Sequence, residues 1–156
     1  MTDDHAARGV YTAAAMGSNL PTSESRTMDH VGRIELSLPA DSRYMRLARL
    51  MASGVATTSG LPLDEVEDFR IAVDELCATL IEMGDEAPIS LVFELSPDAV
   101  VVRARTTTTR TDAIDGERLT LSRQILDVVT DGHDLSHSDG EVALTARKLV
   151  RGGGVG

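Results

Sequence analysis

Between residues 33 and 150 the hydrophobic positions recur at regular intervals, and the interval switches between two residues and three to four. Ile34, Leu36 and Leu38 alternate with Glu35 and Ser37, which predicts a half-buried strand stopped by Pro39. A helix is predicted over 43–58, capped by Asp41 or Ser42, with Tyr44, Leu47, Leu50, Met51 and Val55 on its buried side. Gly60 and Pro62 end it. A second helix starts at an Asp64 cap and closes at Gly84. Its stripe, Val66, Phe69, Val73, Leu76, Cys77 and Leu80, is the strongest periodic signal in the chain. Two strands follow, 89–95 and 100–106, joined by Ser96-Pro97-Asp98, where proline presets the turn. After a polar loop over 107–118, a third helix spans 119–130 with Leu121, Ile125, Leu126 and Val129 inward. Residues 132–140 are turn-rich, with a weak strand at 134–137. The last strand, 141–150, sets Val142, Leu144, Ala146 and Lys148 against Ala143, Thr145 and Arg147.

The order β-α-α-β-β-α-(β)-β predicts an α/β two-layer sandwich, a mixed, mainly antiparallel sheet with helices on one face. Residues 1–32 lack sustained periodicity and read as a disordered tail; 33–150 form one domain, and 151–156 a flexible end. Aromatic residues make up 3% of the 156-residue chain, so the core has to be aliphatic. The single Cys77 excludes an internal disulfide and, among apolar neighbours, reads as a buried inert thiol in a reducing compartment. The N-terminus carries acids where a signal peptide needs bases, and no apolar run of about 18 residues is present. The expectation is a cytoplasmic protein that does not span a membrane.

Net charge is −10, which argues against nucleic-acid binding. The charge is uneven. Residues 63–86 hold nine acids against Arg70 alone, whereas Arg43, Arg46 and Arg49 cluster in the preceding helix without an acid among them. Most of these charges read as solvated helix faces; the sharper reading is a face that meets an oppositely charged protein.

The candidate chemistry lies in Ala72-Val73-Asp74-Glu75-Leu76-Cys77-Ala78-Thr79. Helical spacing puts Glu75 and Thr79 one turn apart on one face, as two polar groups offered to one ligand. His133 and His137, with Asp134 and Asp139, could hold a metal at helical spacing, but Gly132 and Gly140 argue against a helix there. His5 and His30 lie in the tail, and no Ser-His-Asp arrangement emerges.

Taken together, these segments resemble the RsbW-type anti-sigma factors, and most nearly their UsfX-like branch, within the histidine-kinase-like (Bergerat) ATPase fold. The resemblance covers about 33–150. It rests on Leu36-Ser37-Leu38-Pro39-Ala40, Leu47-Ala48-Arg49-Leu50, Gly60-Leu61-Pro62, Arg70-Ile71-Ala72-Val73-Asp74-Glu75, Val129-Thr130-Asp131 and Leu144-Thr145-Ala146-Arg147-Lys148. It implies a homodimer that sequesters an alternative, stress-response sigma factor and answers to a STAS-type anti-anti-sigma antagonist. Many such proteins also bind ATP and Mg²⁺ and phosphorylate a serine on the antagonist. In the family's Glu-x-x-x-Asn motif the Glu is a base and the Asn ligates Mg²⁺. Glu75 matches the first, and Thr79 stands at the second, where a hydroxyl is shorter than an amide. The adenine-reading Asp-x-Gly-x-Gly is represented only by Asp112-Ala113-Ile114-Asp115-Gly116, and the Gly-x-Gly lid by Gly116-Glu117-Arg118-Leu119. By the resemblance Glu75, Thr79, Asp112 and Gly116 would line a nucleotide site, with Thr79 at the metal. Arg49, extended by Arg46, would contact the sigma factor and the antagonist. Three readings stay open: a binding protein with a decayed ATP site, an ATP-dependent protein-serine kinase using Glu75, and a stand-alone regulator whose partner is not a sigma factor.

Overall fold

The structure, a computed structural model, describes residues 32–110 and 116–152. The expectations for the N-terminal tail, for Asp112, and for 153–156 lie outside the described residues. Five strands form one sheet: β1 (Gly32–Leu38), β2 (Ile89–Leu95), β3 (Ala99–Thr107), β4 (Gly132–Ser138) and β5 (Glu141–Leu149). Their order is β1-β2-β3-β5-β4, and each pairing among the described residues is antiparallel. Two tight hairpins account for part of this. At β2–β3 the Ser96 hydroxyl donates to the Ala99 carbonyl and accepts from its N–H. At β4–β5, Asp139 and Gly140 both have positive φ (51° and 76°), the backbone of a two-residue hairpin whose twist matches its strands. β4 extends beyond the weak strand expected at 134–137 and so places His133 and His137 on a strand, not at helical spacing.

Three helices, α1 (Met45–Thr58), α2 (Leu63–Met83) and α3 (Glu117–Val129), pack on one face of the sheet among the described residues. Asp41 accepts from the Arg43 N–H and caps a 3-10 turn, Ser42–Tyr44, that leads into α1. α2 begins at Leu63 after Pro62, so Asp64 sits in the first turn, where a carboxylate suits the dipole, and not at the cap. It is the central helix. Phe69, Val73, Leu76 and Leu80 are fully buried, and Phe69 meets Phe93 of β2 edge to face, with ring centres 6.3 Å apart.

The outer two helices bury only part of the faces expected, Val55 in α1 and Leu126 and Val129 in α3. In α1 the buried residues are Ala48, Ala52, Val55 and Ala56, while Tyr44, Leu47 and Leu50 are exposed, Leu50 by 66%. Small side chains let α1 approach α2 closely; the larger apolar ones are displaced outward. In α3, Leu119 and Ser122 are buried beside Leu126 and Val129, whereas Leu121 is exposed. On β5 the inward row is as expected, with Lys148 buried among Val142, Leu144 and Ala146.

Candidate functional site

α2 presents polar groups to three neighbours. Toward α1, Asp74 takes a two-pronged ion pair from Arg49, 2.7 Å from Nε to Oδ1 and 3.2 Å from Nη2 to Oδ2. That fork matches carboxylate geometry and raises the arginine pKa above its ordinary value. Arg49 therefore braces α1 on α2, yet its side chain keeps 42% exposure, and Arg46 one turn earlier is exposed. Toward β5, the Lys148 ammonium meets Glu65 at 2.5 Å and Asp68 at 3.0 Å and donates to the Val129 carbonyl at 3.1 Å. Burial alone would lower its pKa; the two carboxylates outweigh this and hold it above the ordinary lysine value.

The third face, toward α3, holds the residues singled out from sequence. Glu75 and Thr79 do lie on one side of α2, one turn apart. Thr79 is fully buried, and its hydroxyl is 3.0 Å from that of Ser122, itself buried. The Glu75 side chain is 11% exposed and pairs with the Arg118 guanidinium, 3.1 Å from Nη2 to Oε1. Arg118 also reaches Glu82 one further step along α2, 3.2 Å from Nε to Oε2. Neither the Glu75 oxygen nor Arg118 Nε has hydrogen-bond alignment, so these contacts are ion pairs without directed bonds. Gly116 stands at the head of α3 in extended backbone (φ −174°), exposed.

Arg118, Ser122 and Glu82 were not read as site residues from sequence. A signal existed: Arg118 and Ser122 repeat on α3 the four-residue step of Glu75 and Thr79 on α2. Between β4 and the C-terminal half of α3, His133 Nε2 lies 2.7 Å from Asp127, and no cluster of three metal-ligating side chains occurs among the described residues.

A helix seam of this kind beneath a five-stranded antiparallel sheet defines a class. The family model described as "Histidine kinase-like ATPase domain" matches residues 38–141, and the chain belongs to that family. Serine-protein kinases RsbW are among the curated relatives it matches. Serine-protein kinase RsbW of Bacillus cereus strain B4264 is 32% identical over 80 residues, 49% of this chain and 50% of the relative. RsbW of strain AH187 is 32% identical over 78 residues, 48% of this chain and 49% of the relative. The chain thus spans about half the length of the curated relatives it matches. Among solved structures, the SiaB–SiaC complex from Pseudomonas aeruginosa supplies a chain alike in fold, with TM-score 0.52 and 14% identity over 88% of this chain and 97% of that one. No helix among the described residues is long and apolar enough to cross a membrane.

Proposed function

We propose that this chain is a cytoplasmic anti-sigma factor. It sequesters an alternative sigma factor by protein–protein contact, as a homodimer, and is released by a STAS-type antagonist. Family membership and the RsbW relatives support this reading, as does the exposed arginine face of α1. The observation that favours binding over phosphoryl transfer is Thr79. Its hydroxyl is fully buried and spent on Ser122, so it does not fit a Mg²⁺ ligand, which needs an oxygen facing the metal and its waters. Glu75 faces a guanidinium in place of a substrate hydroxyl. ATP and Mg²⁺ therefore have no complete donor set in these residues, and no step is assigned to them.

The homodimer has support in a groove of about 470 Å³ lined by Ile34, Leu36, Leu47, Leu50 and Met51, beside β1. Among the described residues β1 is an edge strand of the sheet. A second copy pairing β1 antiparallel about Ile34 would set Arg33 opposite Glu35 in both directions, a self-complementary arrangement.

The test is capture of purified sigma factor by the wild type, Arg49→Ala and Asp74→Ala proteins. Both variants break the α1–α2 ion pair, but only the first removes the guanidinium. We expect Arg49→Ala to weaken binding by about tenfold or more and Asp74→Ala to retain it within about twofold. Equal losses would make Arg49 a structural brace only. Calorimetry showing micromolar affinity for ATP-Mg²⁺ would overturn the decayed-site reading.

A further inference from the structure

Glu75 is a nearly buried carboxylate, and the cation facing it is Arg118. A buried charge left unpaired is strongly destabilising, so this site needs a positive group whether or not a ligand is present. Arg118 stands in the first turn of α3, where the helix dipole disfavours a cation. Two acids of α2, Glu75 and Glu82, offset that cost. One turn further on, Ser122 meets Thr79 across the same seam. Thr109 and Arg110, after β3, are held to the end of α2 as well. Thr109 donates its N–H and hydroxyl to Asp85, and Arg110 donates to the Glu82 carbonyl, both beside the C-terminal end of α2. A ligand entering between Glu75 and α3 has to break the ion pairs and the Thr79–Ser122 contact together. Phosphates entering there would also bring negative charge against two carboxylates.

We propose that Arg118 closes this seam to nucleotides, acting as an internal counter-ion to Glu75 and Glu82 that holds α3 on α2 without any metal or nucleotide. The proposal rests on the reading of Glu75 and Thr79 as a lost nucleotide site and names the residue responsible. It makes α3 a permanently closed element, with its position independent of cellular ATP.

Hydrogen exchange by mass spectrometry tests it. Arg118→Ala should speed exchange of the α3 amides, 117–129, by about tenfold or more while peptides from β2 and β3 keep wild-type protection. Glu75→Gln, which breaks only one of the two ion pairs of Arg118, should speed it less, and the double variant should add little to Arg118→Ala, because both remove the Glu75–Arg118 pair. Arg118→Lys, which keeps a cation but loses the fork, should fall between wild type and Arg118→Ala and guards against a variant that fails to fold. Millimolar ATP-Mg²⁺ should leave wild-type α3 exchange unchanged. Unchanged α3 exchange in Arg118→Ala, or fully additive effects in the double variant, would sink the assignment of Arg118 alone. Slowing of wild-type α3 exchange by ATP-Mg²⁺ would overturn it together with the lost-site reading, so the two failures are distinguishable.

Discussion

Lys148 is the only lysine in the chain, and it is buried. Its inward position could be read from the alternation of the last strand. Its partners could not, since Asp68 lies 80 positions away in sequence. The ammonium donates to Asp68 and to the Val129 carbonyl and makes an ion pair without a directed bond to Glu65, so the charge is compensated and the end of α3 is capped. Lys148→Ala leaves two crowded acids without a cation and should cost about 2–3 kcal/mol in urea unfolding; Lys148→Met, which keeps the stem's packing, should cost about 1 kcal/mol less than that. The raised pKa fixes the sign of the pH dependence. The contribution is complete below the unfolded lysine value, about 10.4, and is lost as pH rises through the higher folded value. Melting curves in alkaline buffers should therefore show wild type losing its advantage over Lys148→Met as pH climbs through that window. Cys77 behaves oppositely to a reactive thiol: burial pushes its pKa up to about 12.

At the scale of elements, α2 was legible in nearly every residue and α1 was not. α2 is covered on several sides, so its broad apolar stripe coincides with its buried face. α1 carries two candidate apolar stripes, one of alanines and one of leucines, and periodicity alone favours the larger residues. Packing selected the alanines because Ala48, Ala52 and Ala56, all at 0% exposure, permit close helix contact. Enlarging that seam should be costly: Ala52→Leu is expected to destabilise by about 2–3 kcal/mol by overpacking, measured by urea titration. The same reasoning explains Gly84. A Cβ there would sit 3.0 Å from the Leu80 carbonyl oxygen and 3.1 Å from Thr106 Cγ2, so the α2 terminus meets β3 only because that residue has no side chain.

Among the described residues, the densest acidic run and a strip of arginines lie in different layers. The acids of 63–86 belong mainly to α2, while Arg103, Arg105 and Arg147 are exposed on the open side of the sheet. Between the layers, at the β1 edge, the leucines displaced from the α1 seam border the apolar groove. Their exposure has no role in the stability of one copy, which sets the prediction for the proposed dimer. Leu50→Glu should shift sedimentation from dimer to monomer while changing the unfolding free energy of the monomer by less than about 0.5 kcal/mol. A wild type that sediments as a monomer at all concentrations would refute the paired-β1 arrangement.

The sequence by itself determined the element types, nearly all of their order, the central helix and its buried face, and the family, because each of these is written in local periodicity and turn chemistry. It also placed Glu75 and Thr79 on one side of α2. Tertiary structure alone decided what that side faces. The partners Arg118 and Ser122 sit 43 positions along the chain from Glu75 and Thr79, on another helix, and which helix lies across the seam depends on how three amphipathic elements share one sheet. Side-chain spacing repeats within a helix, but the contact between helices is fixed only by close packing of the whole core.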